Sequence, residues 1–486
     1  MWYVVFVKFK KIVNLEFLNA KMNNNILHSS YFQRRNILMD RIKDGLIFFP
    51  GNRESPMNYA DNTYHFRQDS SFLYYIGIDR PDISAVLDTD SGETILFGDN
   101  FSLDQIVWLG AVPSLESLAE LSGISLVKSS ASLDIILTKA LAQNRHIHIL
   151  PPYRAESILY LNQCFHKSNI SYSSFISEKL IRVVSAQRSV KEAAEIAELT
   201  EAVNISGKMH VAAMKSAKAG MFEYELTGLV EGISVSNGGR ISYPVILTTQ
   251  GQTLHNHSYS GILKEGGLVL GDFGSESKNH YAGDITRTFP VSGTFSQKQK
   301  EIYELVLDTE MKAISQIKPG VTYKEIHLNA ALNITEGLIQ LGLMKGNPHD
   351  AVEAGAHALF FPHGLGHMIG LDVHDMEDLG EDYVGYDQSV SRSTQFGLRS
   401  LRLGKALQVG YVLTVEPGIY FIPQLIDKWA NEKIGSDFIC FDKLISYRDF
   451  TGVRIEDNVL VVNDGYEILG DPIPKSIADV ESLRQN

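Results

Sequence analysis

The chain has very little cysteine, and it lacks long apolar runs. Its two cysteines, Cys164 and Cys440, lie far apart in sequence and form no Cys-x-x-Cys pair. We therefore expect neither a disulfide framework nor a thiolate metal site, and the composition favours a reducing, cytoplasmic location. No window approaches the run of about 18 apolar residues that is typical of a membrane-spanning helix. We expect no membrane partner.

The chain also has fewer basic residues than acidic ones. The chain carries 44 Lys and Arg residues against 57 Asp and Glu residues, for a formal net charge of -13. A general nucleic-acid binder presents a basic face, so we expect no nucleic-acid partner. Hydrophobic residues make up 44% of the chain, which is ordinary for a globular protein and excludes a disordered one.

Length and a change of sequence texture indicate two domains. A chain of 486 residues exceeds what one hydrophobic core usually serves. From Leu46 onward, short apolar runs alternate with turn residues, which is typical of strands joined by tight turns. A long helical pattern then follows Ser189, where Glu192 completes a capping-box spacing. We predict an upstream extension at 1–21, an N-terminal α/β domain at 22–187 and a second domain at 188–486.

Four acidic residues lie in apolar segments that resemble strands. Asp272 and Asp284 flank a turn, and a hairpin would bring them side by side. Two carboxylates held opposite each other repel unless a cation or a proton lies between them. Glu416 ends one apolar run and Glu456 lies inside another, where a glutamate needs a partner or a metal. Solvent exposure of the aspartates, or a salt bridge between Glu456 and Arg454, would explain the pattern without a metal.

Three histidines add to this pattern. His363 and His367 enclose the sequence Gly-Leu-Gly, and His374 follows. This spacing lacks the Glu of the His-Glu-x-x-His zinc motif, and a glycine-rich histidine pair also occurs in ordinary turns. Two Asp, two Glu and one His would together balance the charge of two divalent cations, and such donors suit Mn²⁺, Co²⁺ or Zn²⁺. Two ions about 3.5–4 Å apart can activate water and stabilise the oxyanion of an amide under attack.

Four longer segments now become recognisable, and they occur in order. They are Tyr281–Pro290, Phe361–Asp375, Leu413–Tyr420 and Gly452–Asp457. These segments resemble aminopeptidase P and prolidase, the proline-specific members of the methionine aminopeptidase and creatinase superfamily. The resemblance covers about residues 30–475. It implies an α+β protein in which a creatinase-like N-terminal α/β domain precedes a catalytic domain of the pita-bread fold.

The resemblance also implies a role for each candidate residue. The metal ligands would be Asp272, Asp284, His367, Glu416 and Glu456, with Asp284 and Glu456 bridging two ions. Catalytic roles would fall to His255, His363, His374, Glu416 and Arg454. The same three non-ligand histidines would line the substrate pocket, and Arg402 resembles the arginine that receives a substrate carboxylate in prolidases. The cofactor would be two divalent ions per subunit, Mn²⁺ in the first place, with Co²⁺ and Zn²⁺ as alternatives.

The implied activity is hydrolysis of the bond before proline by a metallo-exopeptidase. The segment Phe66–Gly77 favours an Xaa-Pro aminopeptidase, whereas Gly397–Arg402 and the insertion between His374 and Glu416 favour an Xaa-Pro dipeptidase, or prolidase. We expect the aminopeptidase, with the dipeptidase as the alternative. A catalytically inactive pita-bread binding protein is a third hypothesis, which the five intact ligands disfavour. Substrates would be peptides with proline at the second position, and the protein would be a homo-oligomer, either a dimer or a tetramer.

Overall fold

The structure, a computed structural model, describes residues 30–165 and 170–485. The predicted extension at 1–21 lies outside the described residues. The chain divides into two compact units, of which the first ends at Arg188 and the second begins at Ser189. Within the two described ranges, we find no helix that is both long and apolar enough to span a bilayer.

The first unit is built on one mixed five-stranded sheet. Its strands are β1 (Leu46–Pro50), β2 (Ser84–Asp88), β3 (Glu93–Phe97), β4 (Leu126–Lys128) and β5 (Ile147–His148), in the order β4-β3-β2-β1-β5. The neighbours β1, β2 and β3 pair antiparallel, while β4 and β5 join the two edges in parallel. A short hairpin connection joins β2 to β3, whereas β1 and β2 are separated by 51–83, which include the helix Ser70–Ile76. Parallel pairs also need longer crossovers.

Helices supply those crossovers and cover the sheet. They are α1 (30–42), α2 (Ser70–Ile76), α3 (Leu103–Leu109), α4 (Leu115–Leu121), α5 (Ser132–Ala142), α6 (Ala155–Phe165) and α7 (Glu178–Ser189). Phe48 and Phe97 of the sheet pack into one core with Leu133 of α5 and Leu161 of α6. The expected α/β character of the N-terminal part is therefore confirmed.

The second unit contains the longest helices and three small sheets. The helices are α8 (Ala193–Ser216), α9 (Glu223–Ser236), α10 (Gln297–Ser315), α11 (Tyr323–Gln340), α12 (Pro348–Glu353), α13 (Glu381–Val384), α14 (Pro423–Glu432), α15 (Phe441–Leu444) and α16 (Ile477–Gln485). One sheet has the order β6-β7-β8, with strands Ile246–Thr248, Leu268–Asp272 and Thr286–Pro290. A second pairs β10 (Gly418–Tyr420) with β11 (Gly452–Arg454), and the third has the order β13-β12-β9, with strands Gly465–Ile468, Asp457–Val462 and Val412–Val415.

Long helices and strands share one core in this unit. Val269, Phe289 and Val453 come from the three-stranded and two-stranded sheets, and Ile302 and Val306 come from α10. A capping box between Ser296 and Gln299 starts α10, which satisfies backbone N–H groups that the helix itself leaves open. The expected α+β class is confirmed.

The helix start predicted at Ser189 is wrong. Ser189 is the last residue of α7, and α8 takes Glu192 as its N-cap, in a capping box with Glu195. The N–H of Lys191 donates to the carbonyl of Gly410 at 2.8 Å, which holds the intervening residues outside a helix. A tertiary hydrogen bond therefore displaces the cap by three residues from the position that local spacing suggests.

Candidate metal centre

The acidic residues of the candidate centre lie at strand ends. Asp272 is the last residue of β7, and Glu416 directly follows β9. Asp284 precedes β8 by two residues, and Glu456 lies in the break between β11 and β12. The expectation that Asp284 and Glu456 lie inside strands is corrected. Asp284 lies in the connection between β7 and β8, and at Glu456 the chain leaves the β10-β11 sheet and enters the β13-β12-β9 sheet. The β7–β8 hairpin itself is as predicted, with Asp272 opposite Thr286.

These ends converge on one buried cluster. Single ligand atoms of Asp284, His367 and Glu456 all lie within 4.8 Å of one another. His367 Nε2 is 3.4 Å from Asp284 Oδ2 and 3.7 Å from Glu416 Oε1. Asp272 joins the group through Tyr243, whose hydroxyl donates to Asp272 Oδ1 at 2.6 Å and also contacts Asp284. The structure thus brings all five predicted ligands together.

Burial and crowding shift the titration of these groups. Burial raises the pKa of Asp272 and raises that of Glu416 to about 7, and neighbouring carboxylates contribute to both shifts. Burial, followed by the charge of Asp284, raises the pKa of Glu456 far above its ordinary value. For Asp284, burial opposes the shift, but the hydrogen bond with His367 lowers its pKa. Four carboxylates at such close quarters repel one another, and a divalent cation would relieve that repulsion.

The donor set fits divalent ions. Glu456 is 1% exposed, and its Oε2 accepts a hydrogen bond from Thr286 at 2.6 Å. Its Oε1 is buried and has no hydrogen-bond partner among the described residues. A buried carboxylate oxygen without a partner is costly unless a cation satisfies it. Carboxylate oxygens with one imidazole are also the ligands that suit the divalent ions expected from the sequence.

Arg454 does not neutralise Glu456. Its guanidinium contacts Asp272 Oδ2 and donates to Thr286 Oγ1 at 3.1 Å and to the Tyr420 hydroxyl at 2.7 Å. Across the described ranges, no ion pair joins Arg454 to Glu456. The salt-bridge explanation for Glu456 is therefore wrong. Arg454 instead compensates the charge of Asp272 and orients a tyrosine of the site.

The cluster opens into a cavity that every other predicted residue lines. The cavity is bordered by the five candidate ligands together with His255, His363, His374, Arg402 and Arg454. Its remaining walls include Tyr243, Ile246 and Val373. A concave pocket with a few convergent polar groups is the usual form of a small-molecule or peptide site.

Two of the cavity histidines have defined hydrogen bonds. His363 Nδ1 lies 2.8 Å from the carbonyl of Gly364, so this nitrogen carries the proton, and Nε2 accepts from the Tyr420 hydroxyl at 2.8 Å. His374 Nδ1 lies 2.5 Å from Glu377 Oε2 and therefore donates to that carboxylate. Burial lowers the pKa of His363 to about 3 and that of His374 to about 4. Both rings are neutral at physiological pH.

The remaining two predicted residues line the same cavity. Burial lowers the pKa of His255, which favours its neutral form. Arg402 Nε donates to Glu377 Oε1 at 3.3 Å, and its side chain is 34% exposed. Arg402 therefore reaches both the cavity and a carboxylate that holds His374.

Sequence reasoning missed Tyr243, Tyr420 and Glu377. Tyr420 ends the recognised segment Leu413–Tyr420, so that segment carried a signal for it. Tyr243 lies in no recognised segment, and its contact with two aspartates depends on long-range folding. Glu377 follows Met376, which forms a turn with a φ of 61° that is uncommon for a non-glycine residue. No local sequence pattern predicts this turn.

A second polar group, in the first unit, has no need of a metal. Asp44, His146 and His148 come within ligand distance of one another. However, His146 Nδ1 bonds Asp44 Oδ2 at 2.5 Å, and Lys179 Nζ donates to Asp44 Oδ1 at 3.2 Å. His148 bonds Ser177 Oγ and the carbonyl of Asp44. A cation would have to displace the Lys179 ammonium, so this group is a satisfied hydrogen-bond network.

Two family models match the chain. The model of metallopeptidase family M24 matches residues 197–463, and that of the aminopeptidase P N-terminal domain matches residues 31–150. Xaa-Pro dipeptidase of Rattus norvegicus is 32% identical over 447 residues, which cover 90% of this chain and 88% of that protein. Probable Xaa-Pro aminopeptidase pepP of Metarhizium robertsii is 31% identical over 445 residues, or 90% of this chain and 92% of that protein.

Solved structures agree with this relationship. Zinc-substituted Escherichia coli aminopeptidase P in complex with product has a TM-score of 0.77 and 28% identity, and the match covers 94% of this chain and 98% of that one. The aminopeptidase PepP of Pseudomonas aeruginosa has a TM-score of 0.79 at the same identity and coverage. The chain therefore belongs to metallopeptidase family M24, in its aminopeptidase P and prolidase group, with an aminopeptidase P N-terminal domain before a pita-bread catalytic domain.

Proposed function

We propose that this protein is a dinuclear-metal Xaa-Pro aminopeptidase, which hydrolyses the bond between an N-terminal residue and a proline at the second position. The observation that carries the proposal is the buried group of four carboxylates and one imidazole, in which Glu456 Oε1 has no partner among the described residues. Relatives named probable Xaa-Pro aminopeptidase and the likeness to aminopeptidase P support it.

Membership of a metallopeptidase family makes divalent metal part of this chemistry. We propose two ions per subunit, Mn²⁺ first and Co²⁺ or Zn²⁺ as alternatives, held by Asp272, Asp284, His367, Glu416 and Glu456. Asp284 and Glu456 would be shared by both ions. Such a pair, when bound, activates water at neutral pH and polarises the carbonyl of the scissile bond.

The protein's own side chains bind the substrate and move protons. Glu416, which lines the cavity, carries a proton to the nitrogen of the departing proline. Because His374 Nδ1 donates to Glu377, its Nε2 bears a lone pair that accepts a proton or a hydrogen bond from the substrate. His363 is fixed by Tyr420 and forms a neutral wall against the proline ring, and His255 contacts the residue before it.

Charge favours a peptide that enters by its amino end. Two divalent ions would balance the charge of the cluster as a whole, and a single carboxylate beside them would accept a hydrogen bond from the free ammonium group of the substrate. The guanidinium of Arg454 pairs with Asp272 and holds that carboxylate in place at the cluster.

The dipeptidase remains the second candidate, because Arg402 lies in the cavity and an Xaa-Pro dipeptidase is among the relatives. A dipeptidase closes the far side of proline with a cation for the free carboxylate, whereas an aminopeptidase leaves that side open to a longer chain. An inactive binding protein would have no reason to keep all five candidate ligands together. We further propose a cytoplasmic homo-oligomer, either a dimer or a tetramer.

Hydrolysis of Gly-Pro and Arg-Pro-Pro separates these functions. The protein is first stripped of metal, and Mn²⁺ is then added back. The aminopeptidase cleaves Arg-Pro-Pro and cleaves Gly-Pro slowly, while a dipeptidase cleaves Gly-Pro alone. Failure to cleave either peptide with Mn²⁺, Co²⁺ or Zn²⁺ would leave the binding protein as the explanation.

A further inference from the structure

Arg402 is the cation of the cavity that a substrate could reach. Among the described residues that line the cavity, the guanidinium groups are those of Arg402 and Arg454. Arg454 is 3% exposed and is committed to Asp272, Thr286 and Tyr420. Arg402 is one-third exposed. A free carboxylate at the far side of the proline would therefore turn to Arg402.

Arg402 is already engaged by Glu377. Its Nε donates to Glu377 Oε1 at 3.3 Å, and the other oxygen of Glu377 accepts from His374 Nδ1 at 2.5 Å. The hydrogen bond from His374, and then the charge of Arg402, lower the pKa of Glu377 to about 2. Glu377 is thus fully charged at neutral pH, and it balances the positive charge of Arg402.

The backbone holds Glu377 in this position. Met376 adopts a left-handed conformation with φ at 61°, and the N–H of Glu377 donates to the carbonyl of His374 at 3.2 Å. A non-glycine residue in this region carries strain, and such strain concentrates at functional sites. The tight turn returns the Glu377 side chain to His374, from which it also reaches Arg402.

These contacts have opposite consequences for short and long substrates. The carboxylate of an Xaa-Pro dipeptide would meet the charge of Glu377 and would have to displace it from Arg402. The neutral amide that continues a longer peptide meets no such penalty. We propose that Glu377 is a specificity-determining residue that withholds Arg402 from a substrate carboxylate and so favours peptides longer than a dipeptide. The inference rests on the proposed Xaa-Pro exopeptidase function and names the group that decides between its two forms.

The expected effect of removing the Glu377 charge follows from the solvent exposure of the Arg402–Glu377 ion pair. The side chains of Arg402 and Glu377 are 34% and 42% exposed, so solvent screens their ion pair. Pairs of this kind shift equilibria by roughly two- to fivefold. We expect removal of the Glu377 charge to improve use of the dipeptide by a factor of this order.

The experiment compares Gly-Pro with Gly-Pro-amide, which differ only in the carboxylate. The Mn²⁺-loaded, full-length wild type and Glu377→Gln are assayed for kcat and KM on both substrates. Glutamine still accepts from His374 Nδ1, which preserves the orientation of that ring. The ratio of kcat/KM for Gly-Pro to that for the amide should increase at least roughly twofold, mainly through a lower KM for Gly-Pro. Adding Arg402→Gln to this variant should abolish the gain.

A matched control is Asp378→Asn, which removes an adjacent acidic charge that has no hydrogen bond to Arg402 among those of the described residues. The ratio of kcat/KM for Gly-Pro to that for Gly-Pro-amide should change less in Asp378→Asn than in Glu377→Gln. If Glu377→Gln changed kcat/KM for both substrates by the same factor, Glu377 would act only through His374, and the proposal would be overturned. A wild type that cleaves neither substrate nor Arg-Pro-Pro would overturn the proposed function itself, which is a distinguishable result.

A further variant keeps the proposal testable if Glu377→Gln does not fold. Arg402→Gln alone should lower the ratio of kcat/KM for Gly-Pro to that for Gly-Pro-amide by less than roughly fivefold, because solvent screens the charge of Glu377 that this substitution leaves unbalanced. A selective loss of Gly-Pro hydrolysis by roughly tenfold or more is the loss expected for a full contact between substrate and cation. It would show that Arg402 binds the substrate carboxylate in spite of Glu377. That result would contradict the proposal.

Discussion

Replacing Glu456 by glutamine should have opposite effects on the metal-free and the metal-loaded protein. Glu456 is 1% exposed, its Oε1 has no partner among the described residues, and three carboxylates surround it. Glutamine has nearly the same size, carries no charge, and can donate its amide hydrogens to the neighbouring carboxylates.

The magnitude follows from the cost of a buried group without a partner, which is about 1–3 kcal/mol. Metal-free Glu456→Gln should therefore be more stable than the metal-free wild type by about this amount. Mn²⁺ at about 100 times its dissociation constant should stabilise the wild type by about 2.7 kcal/mol, and it should stabilise the variant much less. The order of stability should reverse when metal is added.

Urea unfolding of stripped protein, with a chelator or with Mn²⁺, measures both effects. Asp457→Asn is the matched control at the next residue, since Asp457 is paired with Arg287 at 2.7 Å and with Lys475 at 2.6 Å. Breaking that pairing should destabilise the protein with and without metal. A metal-free Glu456→Gln that is less stable than the wild type, with an unchanged response to Mn²⁺, would refute the reasoning.

Three further predictions concern activity and acid stability. Glu416→Gln should lower kcat for Arg-Pro-Pro by at least roughly 100-fold, because it removes the proton carrier; near-normal turnover would contradict that role. Tyr420→Phe should lower kcat/KM by roughly tenfold through loss of the hydrogen bond to His363. Combining it with His363→Ala should give a less than additive loss, and full additivity would argue against the contact. Burial opposes the shift, but Arg287 holds the pKa of Asp457 at about 2. This lowered pKa predicts stability that is present above about pH 4 and lost as the pH falls toward 2, with a smaller loss in Asp457→Asn during acid unfolding.

The site was more predictable than the boundaries of the elements that build it. Asp272 and Asp284 could be placed on one hairpin because the turn between them is short, and the hairpin is present. The position of Glu456 could not be read in the same way. Residues 453–462 resemble one strand in the sequence, but β11 and β12 belong to different sheets, and the strand is interrupted between them at Glu456. The position of this break depends on long-range strand pairing, and the local alternation of apolar and polar residues does not predict it.

Contacts from distant segments account for the other differences. The Ser189 and Glu192 spacing satisfies a capping pattern, yet the bond from Lys191 to Gly410 keeps the segment extended. Nothing in the sequence distinguishes Tyr243 from other tyrosines, and only folding brings its hydroxyl to two aspartates. Buried tyrosine hydroxyls need a partner, but the sequence does not say which one.

Metal stoichiometry measured together with activity tests the central proposal most directly. Stripped protein is titrated with Mn²⁺ while the release of arginine from Arg-Pro-Pro is followed. The proposal predicts no release without metal and full activity when about two ions are bound per subunit. Full activity in the presence of a chelator, or no activity after loading with Mn²⁺, Co²⁺ or Zn²⁺, would contradict it.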